Sequence, residues 1–162
     1  MKYLKLTLIS VLCVGMATAQ FSKGSKSAGG GFSYAMMTYD GEDAGSMMTV
    51  NPDVRYYVAD GIAVSVGFTM QSYTPPEGDG STNTGFGLGA YYHINDNIYA
   101  GGAYSSMTPE GGEASTSLNL RGGYLHGLSE SVFLDVNGNY TMGMGDNKAG
   151  GMTFGVGIVS YF

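Results

Sequence analysis

The chain has 162 residues, a formal net charge of −6 and one cysteine, Cys13. So acidic a balance argues against nucleic acid as a partner, because phosphate binding needs clustered Lys and Arg, and a lone cysteine rules out a disulfide framework or a multi-cysteine metal site. Charged residues make up 12 %, low beside the roughly 25 % of a soluble domain, yet no apolar run reaches the roughly 20 residues that a membrane helix needs.

Lys2 and Lys5 precede an apolar run from Leu6 to Met16, and Ala17, Thr18 and Ala19 follow it. A charged start, a short apolar middle and a small-x-small site read as a secretory signal peptide, residues 1–19, cleaved before Gln20. Cys13 leaves with it, and since Leu12 precedes Cys13, a lipoprotein site is a poor reading. Past that point 5 basic residues face 13 acidic ones. Residues 20–29, "QFSKGSKSAG", read as a flexible lead-in, and residues 30–162 as one domain.

Within that domain eight segments alternate apolar and polar residues with the period of a strand. They lie near 30–39, 46–58, 62–74, 84–94, 98–107, 114–126, 131–143 and 151–162. Each is about as long as a tilted strand that crosses a bilayer. "ADG" (59–61), "NDN" (95–97) and "GLSE" (127–130) read as tight turns. "DGEDAG" (40–45), "PPEGDGSTN" (75–83), "PEGGEA" (108–113) and "GDNKAGG" (144–150) read as longer, more acidic loops. That alternation fits short periplasmic turns and longer outer loops.

Parity assigns the faces. Val50, Val54, Tyr56 and Val58 oppose Asn51, Asp53, Arg55 and Tyr57. Ile62, Val64, Val66, Phe68 and Met70 oppose Ser65, Gly67, Thr69 and Gln71. Phe86, Leu88, Ala90, Tyr92 and Ile94 oppose Gly85, Gly87, Gly89, Tyr91 and His93. Val132, Leu134, Val136 and Tyr140 oppose Asp135, Asn137, Asn139 and Thr141. Phe154, Val156, Ile158 and Phe162 oppose Thr153, Gly155, Gly157 and Tyr161. The fifth segment, "IYAGGAYSSM", gives no clear face. The charges in the strands, Asp53, Arg55, Arg121 and Asp135, all fall on the polar face and cancel. A soluble barrel would spread many Lys and Glu over that face; a packed lumen would carry a few balanced charges. Aromatic belts are expected from Tyr56, Tyr92, Tyr99, Tyr124 and Phe162 at one end, and from Tyr39, Tyr73, Tyr104 and Tyr140 at the other.

These features resemble the small eight-stranded outer-membrane barrels of the OmpA/OmpX type, and are especially similar to the compact outer-membrane β-barrel proteins common in Bacteroidetes. The resemblance rests on the leader, the strand count and the closing "GIVSYF". It implies an all-β fold: an eight-stranded antiparallel up-and-down transmembrane β-barrel preceded by a cleaved signal peptide. It also implies a Gram-negative outer-membrane location, lipid and lipopolysaccharide as surroundings, and the barrel-assembly machinery and periplasmic chaperones as partners. The assembly signal would be Ile158, Tyr161 and Phe162, with Ser160 departing from the family's preference for a hydrophobic residue there.

Chemistry on the chain is sparse. A turn centred on Leu128 would pair Arg121 with Asp135, Tyr124 with Val132 and Leu120 with Val136. Asp53, Arg55, Arg121 and Asp135 are then expected to form one ion-pair network that plugs the lumen, because buried charges require partners; a gated ion path is the alternative. His93 and His126 both fall at the predicted periplasmic end with opposite parity, so no Ser-His-Asp constellation assembles at one rim. The outer loops carry Asp40, Glu42, Asp43, Glu77, Asp79, Glu110, Glu113 and Asp146 against Lys148. They read as solvated, with divalent bridging to lipopolysaccharide phosphates as the alternative. Met36, Met37, Met47, Met48, Met70, Met107, Met142, Met144 and Met152 read as apolar filler rather than a copper site. No catalytic residue, metal site or cofactor is expected. The expected function is a monomeric structural outer-membrane protein with a side-chain-filled lumen, contributing to envelope integrity. Alternatives are a narrow conduit or receptor for a small solute, and a soluble secreted barrel that binds an apolar ligand.

Overall fold

The structure, a computed structural model, describes residues 21–39, 42–144 and 150–162, and the side chains of Ala35, Thr38, Tyr39 and Asp43 are outside that description. The expected leader, residues 1–19, lies outside the described residues, as do Asp40, Asp146 and Lys148 of the acidic loops.

Eight strands follow one another: β1 (Lys26–Tyr39), β2 (Glu42–Ala59), β3 (Ile62–Thr74), β4 (Ser81–His93), β5 (Ile98–Pro109), β6 (Ser115–Gly127), β7 (Val132–Gly143) and β8 (Gly150–Tyr161). Each pairs antiparallel with the next, and β8 returns to β1, which closes the barrel. The tight ends are built from residues suited to them. Gly61 has φ 70°, the left-handed conformation that an Asp-Gly hairpin turn requires. Asn95 Oδ1 accepts from the amides of Asn97 (2.9 Å) and Ile98 (2.8 Å), an Asx turn. Ser129 Oγ accepts from Val132 N at 3.2 Å.

The strands tilt. Partner by partner, Lys26 leads to Tyr56, Val64, Ala90, Gly102, Leu120, Tyr140 and Met152. Yet Lys26 itself bonds to Phe162 through its N–H and its C=O. The ladder has climbed ten residues of β8 in one circuit, the stagger that closure of a small barrel imposes.

Burial is inverted relative to a soluble barrel. Phe154 is 78 % exposed, Leu88 65 % and Val54 55 %, while Arg55 and Asp135 are 3 % exposed. Apolar side chains ring the outside and polar ones fill the axis, the dress of a wall that faces lipid. An apolar-ligand carrier in water would show the reverse, so that expectation is set aside. Val64, Leu88, Leu120, Val136 and Ile158 are all exposed where parity put them.

Several expectations are corrected. β1 begins at Lys26, so residues 26–29 of the expected lead-in are barrel wall. Gly29 there sits so close to Val159 that a Cβ would lie 3.1 Å from it; small residues chosen for close packing imitate a linker. Glu42 and Asp43, expected in the first outer loop, belong to β2, and residues 40–41 lie outside the described residues. The β6–β7 register runs four residues away from the expected one: Arg121 pairs with Asn139, Tyr124 with Val136 and Leu120 with Tyr140. The connector is residues 128–131, closed by Leu128 N to Val132 O at 2.8 Å, rather than a turn centred on Leu128. A shift by an even number keeps every face, so the inward set survives the error. Two belt assignments also change. Tyr99 is 1 % exposed, inside the lumen, and Tyr73 is half-buried with its hydroxyl donating to Ala44 O. Tyr39 lies outside the described side chains. Tyr56, Tyr92, Tyr104, Tyr124, Tyr140 and Phe162 are exposed as expected, and Tyr34 joins them.

Candidate functional site: the lumen

The lumen has two halves of different chemistry. Its base is aromatic. Tyr57, Tyr91, Tyr99, Leu125, Phe133, Val159 and Tyr161 are buried there around Arg55, His93 and Asp135. Glycines on neighbouring strands make the seats. Tyr99 faces Gly123 across the β5–β6 ladder, and a Cβ on Gly123 would come within 2.6 Å of the Tyr99 ring. Tyr91 lies on Gly101 in the same way. The rings thus fold down onto bare backbone and cross the axis rather than standing up the wall.

The four expected charges lie at this level in two pairs. Arg55 Nε bonds Asp53 Oδ2 at 2.6 Å, and Arg121 Nη2 bonds Asp135 Oδ2 at 2.7 Å. Tyr99 joins them. Its hydroxyl donates to both Asp135 oxygens, each 2.9 Å away, and its ring lies under both guanidinium groups, 5.4 Å from Arg55 Cζ and 5.9 Å from Arg121 Cζ. Arg55 also stacks over Tyr91 at 4.5 Å. A desolvated cation over a ring is worth up to about 2 kcal/mol, so the rings partly replace the water these groups lose. The network is therefore centred on a tyrosine that composition and parity did not single out.

Below it the chain before β1 closes the mouth. Phe21 stacks on His93 (centroids 4.0 Å, 23°) and meets Tyr161 edge-on at 5.2 Å. Its carbonyl accepts from Gly61 N at 2.7 Å, and Lys23 N donates to Asp60 Oδ1 at 2.8 Å. His93 Nε2 shares a 2.8 Å hydrogen bond with the Tyr57 hydroxyl. His93 faces inward and His126 outward, so the two histidines do not converge. Of the expected assembly residues, Ile158 and Phe162 are exposed on the outer face, whereas Tyr161 is buried in the plug.

Above the charges the axis opens into a cavity of about 390 Å3 with a mixed lining, floored by Asp53, Tyr91 and Arg121 and reaching Gln71, Met107 and Thr153. Its wall is cross-linked. Asn119 Nδ2 donates to Ser105 Oγ at 2.7 Å, Ser105 and Ser117 share a 2.8 Å bond, Thr141 Oγ1 donates to Asn119 Oδ1 at 2.8 Å, and Asn139 Nδ2 donates to Thr141 Oγ1 at 2.9 Å. These amides and hydroxyls present neutral hydrogen-bonding groups and no nucleophile–base pair. Among the described residues, no three His, Cys, Asp or Glu side chains gather as a metal site would need.

No family model matches the chain, and no curated protein matches it by sequence. Solved structures do. The chain is similar to the outer membrane protein Ail of Yersinia pestis in a phospholipid bilayer nanodisc, with 15 % identity over 86 % of this chain and all of that one, at a TM-score of 0.60. It is similar to the N-terminal β-barrel domain of Pseudomonas aeruginosa OprF, with 15 % identity, 87 % and 98 % coverage and a TM-score of 0.57. Neisserial surface protein A is a third, at 13 % identity, 85 % and 96 % coverage and a TM-score of 0.53. At such identities the likeness is one of fold: this chain has the architecture of the small eight-stranded outer-membrane β-barrels.

Proposed function

We propose that this chain is a non-catalytic structural barrel of the Gram-negative outer membrane, closed at its base and contributing to envelope integrity. The observation that carries the reading is the Tyr99-centred plug, in which two ion pairs and a layer of aromatic rings cross the axis beneath the cavity. A wall that is apolar outside and polar within is stable only in a bilayer, and so lipid and lipopolysaccharide are its surroundings. On this reading the barrel is a monomer, delivered by periplasmic chaperones and inserted by the barrel-assembly machinery through its β8 end. A receptor role for a small solute is the second reading, favoured by the cavity above the plug.

Planar bilayers test the closure. The refolded wild type is expected to show no stable channels. The double variant Arg55→Ala/Tyr99→Ala, which removes the centre of the plug, is expected to conduct. Large stable channels from the wild type would contradict the proposal.

A further inference from the structure

The barrel wall is incomplete on one side. β1 and β8 pair from Ser27 with Tyr161 up to Phe32 with Val156, and the ladder stops there. Both strands continue: β1 runs on to Tyr39 and β8 starts back at Gly150, each still paired to its other neighbour. Among the described residues, two strand edges therefore face each other with no ladder between them over the outer half of the wall. The side chains report the same gap. Ser33 and Thr153 have lumen parity yet are exposed, and a Cβ on Gly151 would touch nothing within 4 Å.

Such edges are costly in hydrocarbon. Unpaired backbone N–H and C=O groups survive at membrane depth only where they are buried in protein or line a water-filled cavity. The flanking surface here is lipid-facing, with Phe32, Tyr34, Met36, Met152 and Phe154 all exposed. Two spaces meet at the gap. An outer groove of about 490 Å3 runs along Phe32, Ser33, Tyr34, Val136, Phe154 and Val156. The lumen cavity reaches Phe32, Ser33, Phe154, Gly155 and Val156 from inside. The shared residues are the rims of one slot, with rings on its lipid side and the amides and hydroxyls of Asn119, Asn139 and Ser105 beyond it.

We propose that this slot is a lateral binding site for a single-chain lipid with an uncharged, hydroxyl-bearing head. The acyl chain lies between the Phe32 and Phe154 rings, in register with the surrounding bilayer. The head enters the cavity and takes hydrogen bonds from its neutral side chains and from the open edges of β1 and β8. An uncharged head fits because the charges below cancel pair by pair, while, among the described residues, Arg55 Nη1 and Arg121 Nε keep no hydrogen-bond partner. The plug makes the cavity a dead end, so its exits are the outer mouth and this slot. The proposal needs the barrel in a bilayer but holds whether or not the plug is watertight.

Two measurements on the protein in nanodiscs of chain-deuterated phosphatidylcholine test it. Amide exchange is expected to be fast for Tyr34, Met36, Met152 and Phe154, whose N–H groups turn to the gap, and slow for β3–β5 at the same height; slow β3–β5 exchange also shows that the barrel has inserted. Monododecanoylglycerol is expected to give acyl-chain NOEs to the Phe32 and Phe154 rings. Ser33→Trp, which fills the slot from an exposed position, is expected to weaken that binding at least tenfold, and Ser106→Trp on the opposite wall to leave it unchanged. Equal protection of both strand edges with β3–β5 would overturn the proposal. So would NOEs spread evenly over Val64, Phe86 and Leu88, or unaltered binding by Ser33→Trp.

Discussion

At the scale of single residues, Tyr99 does the most with least warning. It lies in "IYAGGAYSSM", where Ala and Gly occupy both faces and leave no contrast for parity to read. Tyr104, with the opposite parity, is the one that faces out. The four charges were legible because every one shares the face of Asn and Thr neighbours, and because a buried charge needs a partner. Their geometry was not, since it depends on a register that four residues of turn decide. Leu125, Phe133 and Val159 could have been found from parity alone: each stands an even number of residues from Arg121, Asp135 or Gly157. Tyr99→Phe deletes the donor to Asp135 and is expected to cost about 1–3 kcal/mol. Arg121→Leu leaves a buried carboxylate with only a tyrosine and is expected to cost about 3–5 kcal/mol. Urea unfolding in lipid vesicles measures both, and a double-mutant cycle should give a coupling between them. Additive losses would mean that the tyrosine and the ion pair are independent.

At the scale of elements, alternation revealed the strands and turn chemistry separated them, but their ends followed packing instead of composition. "KSAGG" has the look of a linker and is the foot of β1, where Ser27 is buried and Gly29 is pressed against Val159. "EDAG" looks like an acidic loop and extends β2, held by a ladder of β1 partners as far as Glu42 with Tyr39. The partial β1–β8 ladder has no trace in either strand's own sequence, because a pairing belongs to two segments at once. The inside-out pattern makes a sharp contrast between faces of one strand. Leu88→Arg on the outer wall of β4 is expected to destabilise by about 2–4 kcal/mol, the cost of a cation near mid-membrane. Thr69→Arg, on the cavity side of β3, is expected to cost less than half of that. The same unfolding titration decides, and equal losses would mean that the two faces see the same medium.

At the scale of the whole molecule, the fold was legible and the purpose was not. Fold follows from a pattern repeated over eight strands, so local errors leave it intact. Which few side chains meet across the axis, and where the β1–β8 ladder stops, are set by stagger and closure rather than by any one segment. The chain from Gln20 onward has no cysteine, which allows single spin labels to be placed at will. Labels at Val64, Leu88, Leu120 and Ile158, and at Thr69, Ser105, Asn119 and Gly155, in the protein reconstituted in vesicles, test the central claim most directly. The first set is expected to relax with oxygen, which concentrates in hydrocarbon. The second is expected to relax with a water-soluble nickel chelate or with neither. The opposite assignment, or no difference between the sets, would contradict a barrel whose apolar face meets lipid and whose polar face meets its own axis.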